Sequence, residues 1–225
     1  RIKGGWTING SRPFSSGSHI ADYIQISFEN SAGERLTAAV PADRPGIVIV
    51  DDWDGIGQRQ TGSGTVHFHD LRIDDDEMIS APSVPLTPYT SLTSLLQQSV
   101  LLNVFVGSAQ GILEEGREYT VGSSRPWIYS GVERHIDDPW IKRQYGELYI
   151  RTLATAELAD KAARSLDAAY IQGPSLSHAD RGAAAIDIAT ANLYAGEVGL
   201  TVSSEVFEVM GARSATQANG FDRFW

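Results

Sequence analysis

The sequence contains no cysteine, which excludes disulfides, thiolate metal sites and cysteine nucleophiles, and fits a cytoplasmic protein. Positive charge is scarce: 18 lysines and arginines stand against 28 aspartates and glutamates, for a formal net charge of −10. A field of that sign repels phosphodiester backbones, so nucleic acid is not an expected partner. There is no run of about 18 apolar residues and no basic-then-apolar start, so neither a membrane span nor a signal peptide is expected. Internal repeats and low-complexity stretches are also missing. What is present is apolar: 42% of residues are hydrophobic, ample for a core. The chain begins at Arg1 without a methionine and stops at Trp225 in what reads as the start of another element, so it is expected to be a fragment of a longer protein.

Two regions differ in composition and period. Prolines concentrate in the first half, and alanine-rich, proline-poor sequence fills the second. Trp6 and Ile8 alternate before an Asn9-Gly10 turn, Ile24, Ile26 and Phe28 before a turn over 29–34, and Val66 and Phe68 form another alternating segment, with Ile47 to Val50 a short apolar run. Such strands separated by turns predict an antiparallel barrel or sandwich. From Leu92 the spacing becomes three-four, which predicts helices over 91–121, 138–172 and 178–211. Asp138 before Pro139 is a helix start, and Ser177 with Asp180 has capping-box spacing. The apolar stripe of the second helix reads Ile141, Tyr145, Leu148, Thr152, Ala156, Ala159, Ala163, Leu166 and Tyr170. That of the third reads Ile186, Ala189, Leu193, Gly196, Leu200, Ser204, Phe207 and Gly211. Helices of this length must lie side by side to bury such stripes, so a bundle is expected.

The motifs carry a resemblance. Gly5-Trp6-Thr7-Ile8-Asn9-Gly10-Ser11-Arg12-Pro13-Phe14-Ser15-Ser16-Gly17, with Ala21-Asp22 after it, resembles the flavin-contacting strand and loop of the acyl-CoA dehydrogenase superfamily. Asp51-Asp52-Trp53, Gly57-Gln58-Arg59-Gln60-Thr61, Ser63-Gly64-Thr65, Arg125-Pro126-Trp127, Asp138-Pro139 and the stretch from Val206 to Trp225 resemble one branch of it. That branch is the dibenzothiophene monooxygenases and related sulfur-acquisition oxidoreductases. The resemblance implies an α+β multidomain fold: an antiparallel β-barrel middle domain over 1–88, then a C-terminal helical domain of four-helix-bundle type over 89–225. An N-terminal helical domain and the end of the C-terminal one are expected outside the chain. It also implies a homotetramer that takes reduced FMN from a separate flavin reductase and transfers oxygen to an organosulfur compound. An FAD-dependent acyl-CoA dehydrogenase is the alternative.

Site residues follow from the same resemblance, each beside an ordinary reading. Phe14, Ser15, Ser16 and Gly17 would contact the flavin, with Ser16 at the N5 region as the catalytic candidate; two residues apart on an extended segment, Phe14 and Ser16 would face one way. The plain alternative is a Ser-Gly turn. Arg125 in the cluster with Trp127 would hold the flavin phosphate of a neighbouring subunit, or simply complement a helix end. Trp53 would border the substrate pocket, or sit at the rim of the β domain. Glu208 and Gly211 lie in the segment that helps to bind the dinucleotide part of FAD in dehydrogenases. Here a glutamate replaces the usual glutamine, and Ala212 replaces a glycine, a departure that favours FMN; otherwise Glu208 would point to solvent or pair with Arg213. Gln97 falls near one family position of the proton-abstracting glutamate, and an amide is no base. No metal is expected: His67 and His69 lack a third ligand, and Asp74 to Glu77 reads as a solvated turn.

Overall fold

The computed structural model describes residues 1–80 and 86–225. The chain divides into two compact units, Arg1–Pro85 and Leu86–Trp225. The expected end of regular β structure near residue 85 lies outside the described residues.

Among its described residues the first unit holds six strands: β1 (Gly5–Arg12), β2 (Tyr23–Glu29), β3 (Arg35–Pro41), β4 (Ile47–Ile49), β5 (Val66–Asp74) and β6 (Met78–Ser80). They form two antiparallel sheets, ordered β1-β5-β4 and β2-β3-β6. Among the described residues the sheets do not close into a barrel. Pro13 offers no amide to a ladder, and Phe14 at φ 56° turns the chain out of β1, so β2 begins in the other sheet. Between the facing edges of β1 and β2 runs a cleft of about 1140 Å³. The sheets share one apolar core, with Ile26, Ala38 and Val40 from the second against Val66, Phe68, Leu71 and Ile73 from the first.

Asn9-Gly10 is not a turn. β1 continues through it, and the pairing with β5 slips between Ile8↔Leu71 and Gly10↔Phe68, so His69 and Asp70 stand opposite Asn9. Asp70 takes φ 46° and exchanges two hydrogen bonds with the Asn9 side chain, at 2.8 and 2.9 Å. The bulge switches the parity of β5, so even-numbered Val66 and Phe68 and odd-numbered Leu71 and Ile73 all face the core. The second expected turn is present: Asn30 closes the β2–β3 hairpin by accepting from the amides of Ala32 and Glu34.

Asp74 to Glu77 is a turn, but a less solvated one than its charge suggests. Its Glu77 forms a bidentate ion pair with Arg44, the two side chains 17% and 21% exposed, and Arg44 also donates to the Arg72 carbonyl. The guanidinium holds the Glu77 carboxyl below the usual carboxylate range. A carboxyl lowered by folding stabilises above its unfolded value, near 4.5, and that stability is lost as pH falls through the folded value. Glu77→Gln is therefore expected to cost about 1–3 kcal/mol at pH 7 and to make stability less steep below that point. Denaturant midpoints measured from pH 7 to 3 check this, and parallel acid limbs in variant and wild type would refute it.

The second unit holds α1 (Leu92–Gly122), α2 (Pro139–Gln172) and α3 (His178–Met210), of 31, 34 and 33 residues. The expected caps form: Asp138 accepts from the Trp140 amide at 2.8 Å ahead of Pro139, and Ser177 accepts from the Asp180 amide at 3.0 Å. α1 is long and apolar enough to cross a membrane by length and composition. Its buried residues pack into two apolar clusters with α2 and α3, one around Leu102 and Ile188, the other around Ile112 and Val202. The buried face of α3 is not the stripe read from the sequence. Ile188, Ala191, Ala195, Val198, Val202 and Val206 are buried, while Ile186, Leu193 and Leu200 are 68%, 70% and 58% exposed. In α2, likewise, Ala162 is buried and Ala163 exposed. Small residues let α1 approach the core face of α3, so the larger apolar side chains are left on its outer face.

Candidate functional site

The candidate residues fall into two groups, one in each unit. In the first unit, the segment after β1 folds as a tight loop over residues 58–64: Ser15 donates its amide to the Gly64 carbonyl at 3.0 Å, and Gly17 donates to the Thr61 carbonyl at 3.4 Å. Phe14, Ser15, Ser16, Gly17 and Ser18 line one end of the cleft between β1 and β2. Phe14 is exposed and meets Trp53 edge to face, ring centroids 5.8 Å apart. The structure thus brings Trp53 to the loop. Trp53 Nε1 donates to the Gln58 carbonyl at 3.0 Å, which fixes the indole from behind.

At Gly64 the chain packs tightly against the segment Val50–Asp52. A Cβ there would stand 2.3 Å from the Val50 carbonyl and 2.7 Å from Asp52 Oδ1. That absence of side chain lets Asp52 accept from the Thr65 amide at 2.7 Å, and hydrogen bonds from Thr65 hold the Asp52 carboxyl below its ordinary range. Asp52 is therefore an ionised anchor for the Trp53 loop.

Behind Ser16 lies a chain of hydroxyls. Ser16 Oγ is 2.6 Å from Ser63 Oγ, and Ser63 Oγ is 2.6 Å from Thr61 Oγ1, which donates to the Gln58 carbonyl at 2.8 Å. In the sequence, residues 57–61 and 63–65 stand out only as clusters that carry the resemblance. Their contact with Ser16 spans 47 positions and has no local signal. Next to it Ser18 is buried, and its Oγ has no hydrogen-bond partner among the described residues.

In the second unit the α1–α2 loop and the end of α3 are tied together. Ser124 Oγ donates to the Met210 carbonyl at 2.6 Å, and His135 Nε2 donates to the Val209 carbonyl at 2.7 Å. These bonds occupy two carbonyls that the last turn of a helix otherwise leaves open. They bring the loop that carries Arg125 and Trp127 to the segment Glu208–Gly211. Arg125 is exposed, and no salt bridge among the described residues uses it. Trp127 is exposed and stacks edge to face on Tyr129. Glu208 is exposed and accepts from Gln144 Nε2 at 2.9 Å, so it pairs with an amide of α2 and not with Arg213. Gly211 follows α3 at φ 85°, a conformation that favours glycine. Gln97 is exposed on α1. His67 accepts or donates to Ser11 Oγ at 2.7 Å and stacks on His69.

Residues 100–225 match the family described as "Acyl-CoA dehydrogenase, C-terminal domain". The chain is 38% identical to a probable FMNH2-dependent monooxygenase, SfnC, of Pseudomonas putida over 98% of its own length and 57% of the relative's. It is 34% identical to a dibenzothiophene monooxygenase of Rhodococcus erythropolis, over 99% of the chain and 56% of the relative. Among solved structures, methanesulfinate monooxygenase MsuC from Pseudomonas fluorescens superimposes with a TM-score of 0.96 at 36% identity, covering 100% of this chain and 59% of that one. The chain thus spans little more than half the length of the curated relatives it matches. It belongs to the acyl-CoA dehydrogenase superfamily, in the branch that holds the dibenzothiophene monooxygenases and the sulfur-acquisition oxidoreductases.

Proposed function

We propose that this chain is the middle β domain (1–88) and part of the C-terminal helical domain (89–225) of a flavin-dependent monooxygenase that uses reduced FMN and oxygen on an organosulfur compound. The observation that carries the reading is the loop 14–18: an exposed aromatic and a hydroxyl backed by a hydroxyl chain share one end of a large cleft. A flavin ring needs that pairing of flat apolar contact and polar edge. The names of the relatives, one FMNH2-dependent and two acting on dibenzothiophene or methanesulfinate, point the same way.

The residues present fit such a group. Phe14, Ser15, Ser16 and Gly17 would hold the ring, and the unpartnered hydroxyl of buried Ser18 leaves one more polar atom at that end of the cleft. Arg125, with Trp127, would hold the phosphate of a neighbouring subunit's flavin, since its guanidinium has no carboxylate partner among the described residues. Glu208 near a pyrophosphate would be repulsive, which favours FMN over FAD. Trp53, held by Gln58, would form a wall of the substrate pocket. When bound, the reduced flavin supplies the electrons that activate oxygen. The protein's part is to orient the ring, exclude water and hold the sulfur compound against it. A separate flavin reductase would supply the FMNH2.

A homotetramer is part of this reading. Ile186, Leu193 and Leu200 on α3, and Leu96, Val100 and Leu101 on α1, are exposed apolar side chains, as an assembly interface requires. The parent is read as cytoplasmic, with neither a membrane nor nucleic acid as partner.

The test is anaerobic mixing of the full-length protein with reduced FMN, followed by labelled oxygen and a panel of a sulfinate, a sulfone and an aromatic thioether. Label in an organosulfur product is the expected result. Bleaching of a bound flavin by an acyl-CoA, with no label transferred, would establish the dehydrogenase instead.

A further inference from the structure

The hydroxyl chain behind Ser16 has a direction. The Gln58 carbonyl can only accept, and it takes Trp53 Nε1 at 3.0 Å, the Thr61 amide at 3.2 Å and Thr61 Oγ1 at 2.8 Å. A hydroxyl carries one proton. If Thr61 spends its proton on Gln58, the 2.6 Å contact with Ser63 must be a donation from Ser63 to Thr61. Ser63 then has no proton left, so the 2.6 Å contact with Ser16 must be a donation from Ser16 to Ser63. The reverse order would set the Thr61 and Gln58 lone pairs against each other at 2.8 Å. Ser63 is 6% exposed, so water does not readily supply a substitute proton. Ser16, exposed at the cleft, is left facing outward with lone pairs alone.

We propose that Thr61 and Ser63 are positioning residues that hold Ser16 as a hydrogen-bond acceptor, so that the loop selects reduced over oxidised flavin. The proposal rests on the reading that the flavin N5 edge lies at Ser16. Reduced flavin carries a hydrogen on N5 and can donate to Ser16. Oxidised flavin has a bare N5, itself an acceptor, and would meet lone pair with lone pair. Neither Thr61 nor Ser63 needs to touch the flavin for this discrimination; they act through the one proton that Ser16 cannot turn outward.

The experiment is equilibrium titration of the full-length protein, under anaerobic conditions, with photoreduced FMN and separately with oxidised FMN. Wild type should bind the reduced form more tightly. Thr61→Val and Ser63→Ala should each lower the ratio of the two dissociation constants about two- to twelvefold, the worth of one hydrogen bond. Thr61→Ser should restore it, and Thr61→Val should add nothing in a Ser16→Ala background. Loss of folding weakens both forms together and leaves the ratio alone, so the ratio reports the proton order and not general damage. An unchanged ratio in both Thr61→Val and Ser63→Ala, or a wild type that prefers oxidised FMN, would overturn the proposal while leaving flavin binding intact. A wild type that binds neither form would instead overturn the flavoprotein reading on which it stands.

Discussion

Replacing Arg125 by alanine in the full-length protein is expected to weaken FMN binding about ten- to a hundredfold. The guanidinium lies in a loop whose neighbours are pinned, Ser124 to the Met210 carbonyl and His135 to the Val209 carbonyl, so its approach to a ligand is largely preorganised. It has no salt-bridge partner among the described residues, and its charge is available without first breaking a pair. A hydrogen bond to a charged group contributes about 1.5–3 kcal/mol, which gives the range above. Arg125→Lys should fall between, since an ammonium keeps the charge but loses bidentate geometry. Riboflavin, which lacks the phosphate, separates this from damage to the fold: its binding should not change. Equal weakening of riboflavin and FMN would remove Arg125 from the phosphate.

The largest effect on stability is expected at Ile188. Its side chain is 0% exposed in the cluster with Leu102, Leu166 and Ala191, where neighbouring helices leave little room to collapse into a void. Ile188→Ala should cost about 2–5 kcal/mol and Ile188→Val about 0.5–1.5 kcal/mol. Chemical denaturation of the full-length protein, monitored at the helical transition, measures both. A loss below 1 kcal/mol for the alanine variant would show that the cluster is not packed as described.

Ile188 and Ile186 also mark where the sequence stops being legible. Helix ends carry local chemistry, and Asp138-Pro139 and Ser177 start α2 and α3 where their capping groups require. The face that α3 buries has no such marker. Apart from Ile188 and Met210, its core side is lined mainly by Ala184, Ala191, Ala195 and valines, and its outer side carries Ile186, Leu193 and Leu200, so apolar periodicity favours the wrong stripe by side-chain size. Only knowledge of how close α1 comes would reverse the choice. In the β unit, alternation located most strands but could not foresee the bulge at Asp70. An Asn-Gly pair reads as a turn unless its partner across the sheet is known. The sheets remain separate for a reason outside any single strand, the exit of the chain from β1 through Pro13 and Phe14.

The site follows the same division. Phe14, Ser16 and Trp53 carry the resemblance as short motifs, and the structure gathers them through the Phe14–Trp53 contact and the Gln58 carbonyl. The Ser63 and Arg44–Glu77 contacts join residues 47 and 33 positions apart, so neither could be read from spacing. Glu208 is exposed, and its hydrogen bond comes from Gln144, one turn into α2, and not from Arg213.

The two bonds that close the end of α3 have a dynamic consequence. Helix ends ordinarily fray first, and their amides exchange with solvent long before the middle of the helix opens. Here the last turn cannot unwind until Ser124 and His135 let go of the Met210 and Val209 carbonyls, and the loop cannot lift without releasing the same bonds. The loop and the helix end should therefore open as one cooperative foldon. In a hydrogen–deuterium exchange time course, the amides of Val209, Met210 and Gly211 should lose protection at a common rate with those of residues 124–135, more slowly than a free helix terminus.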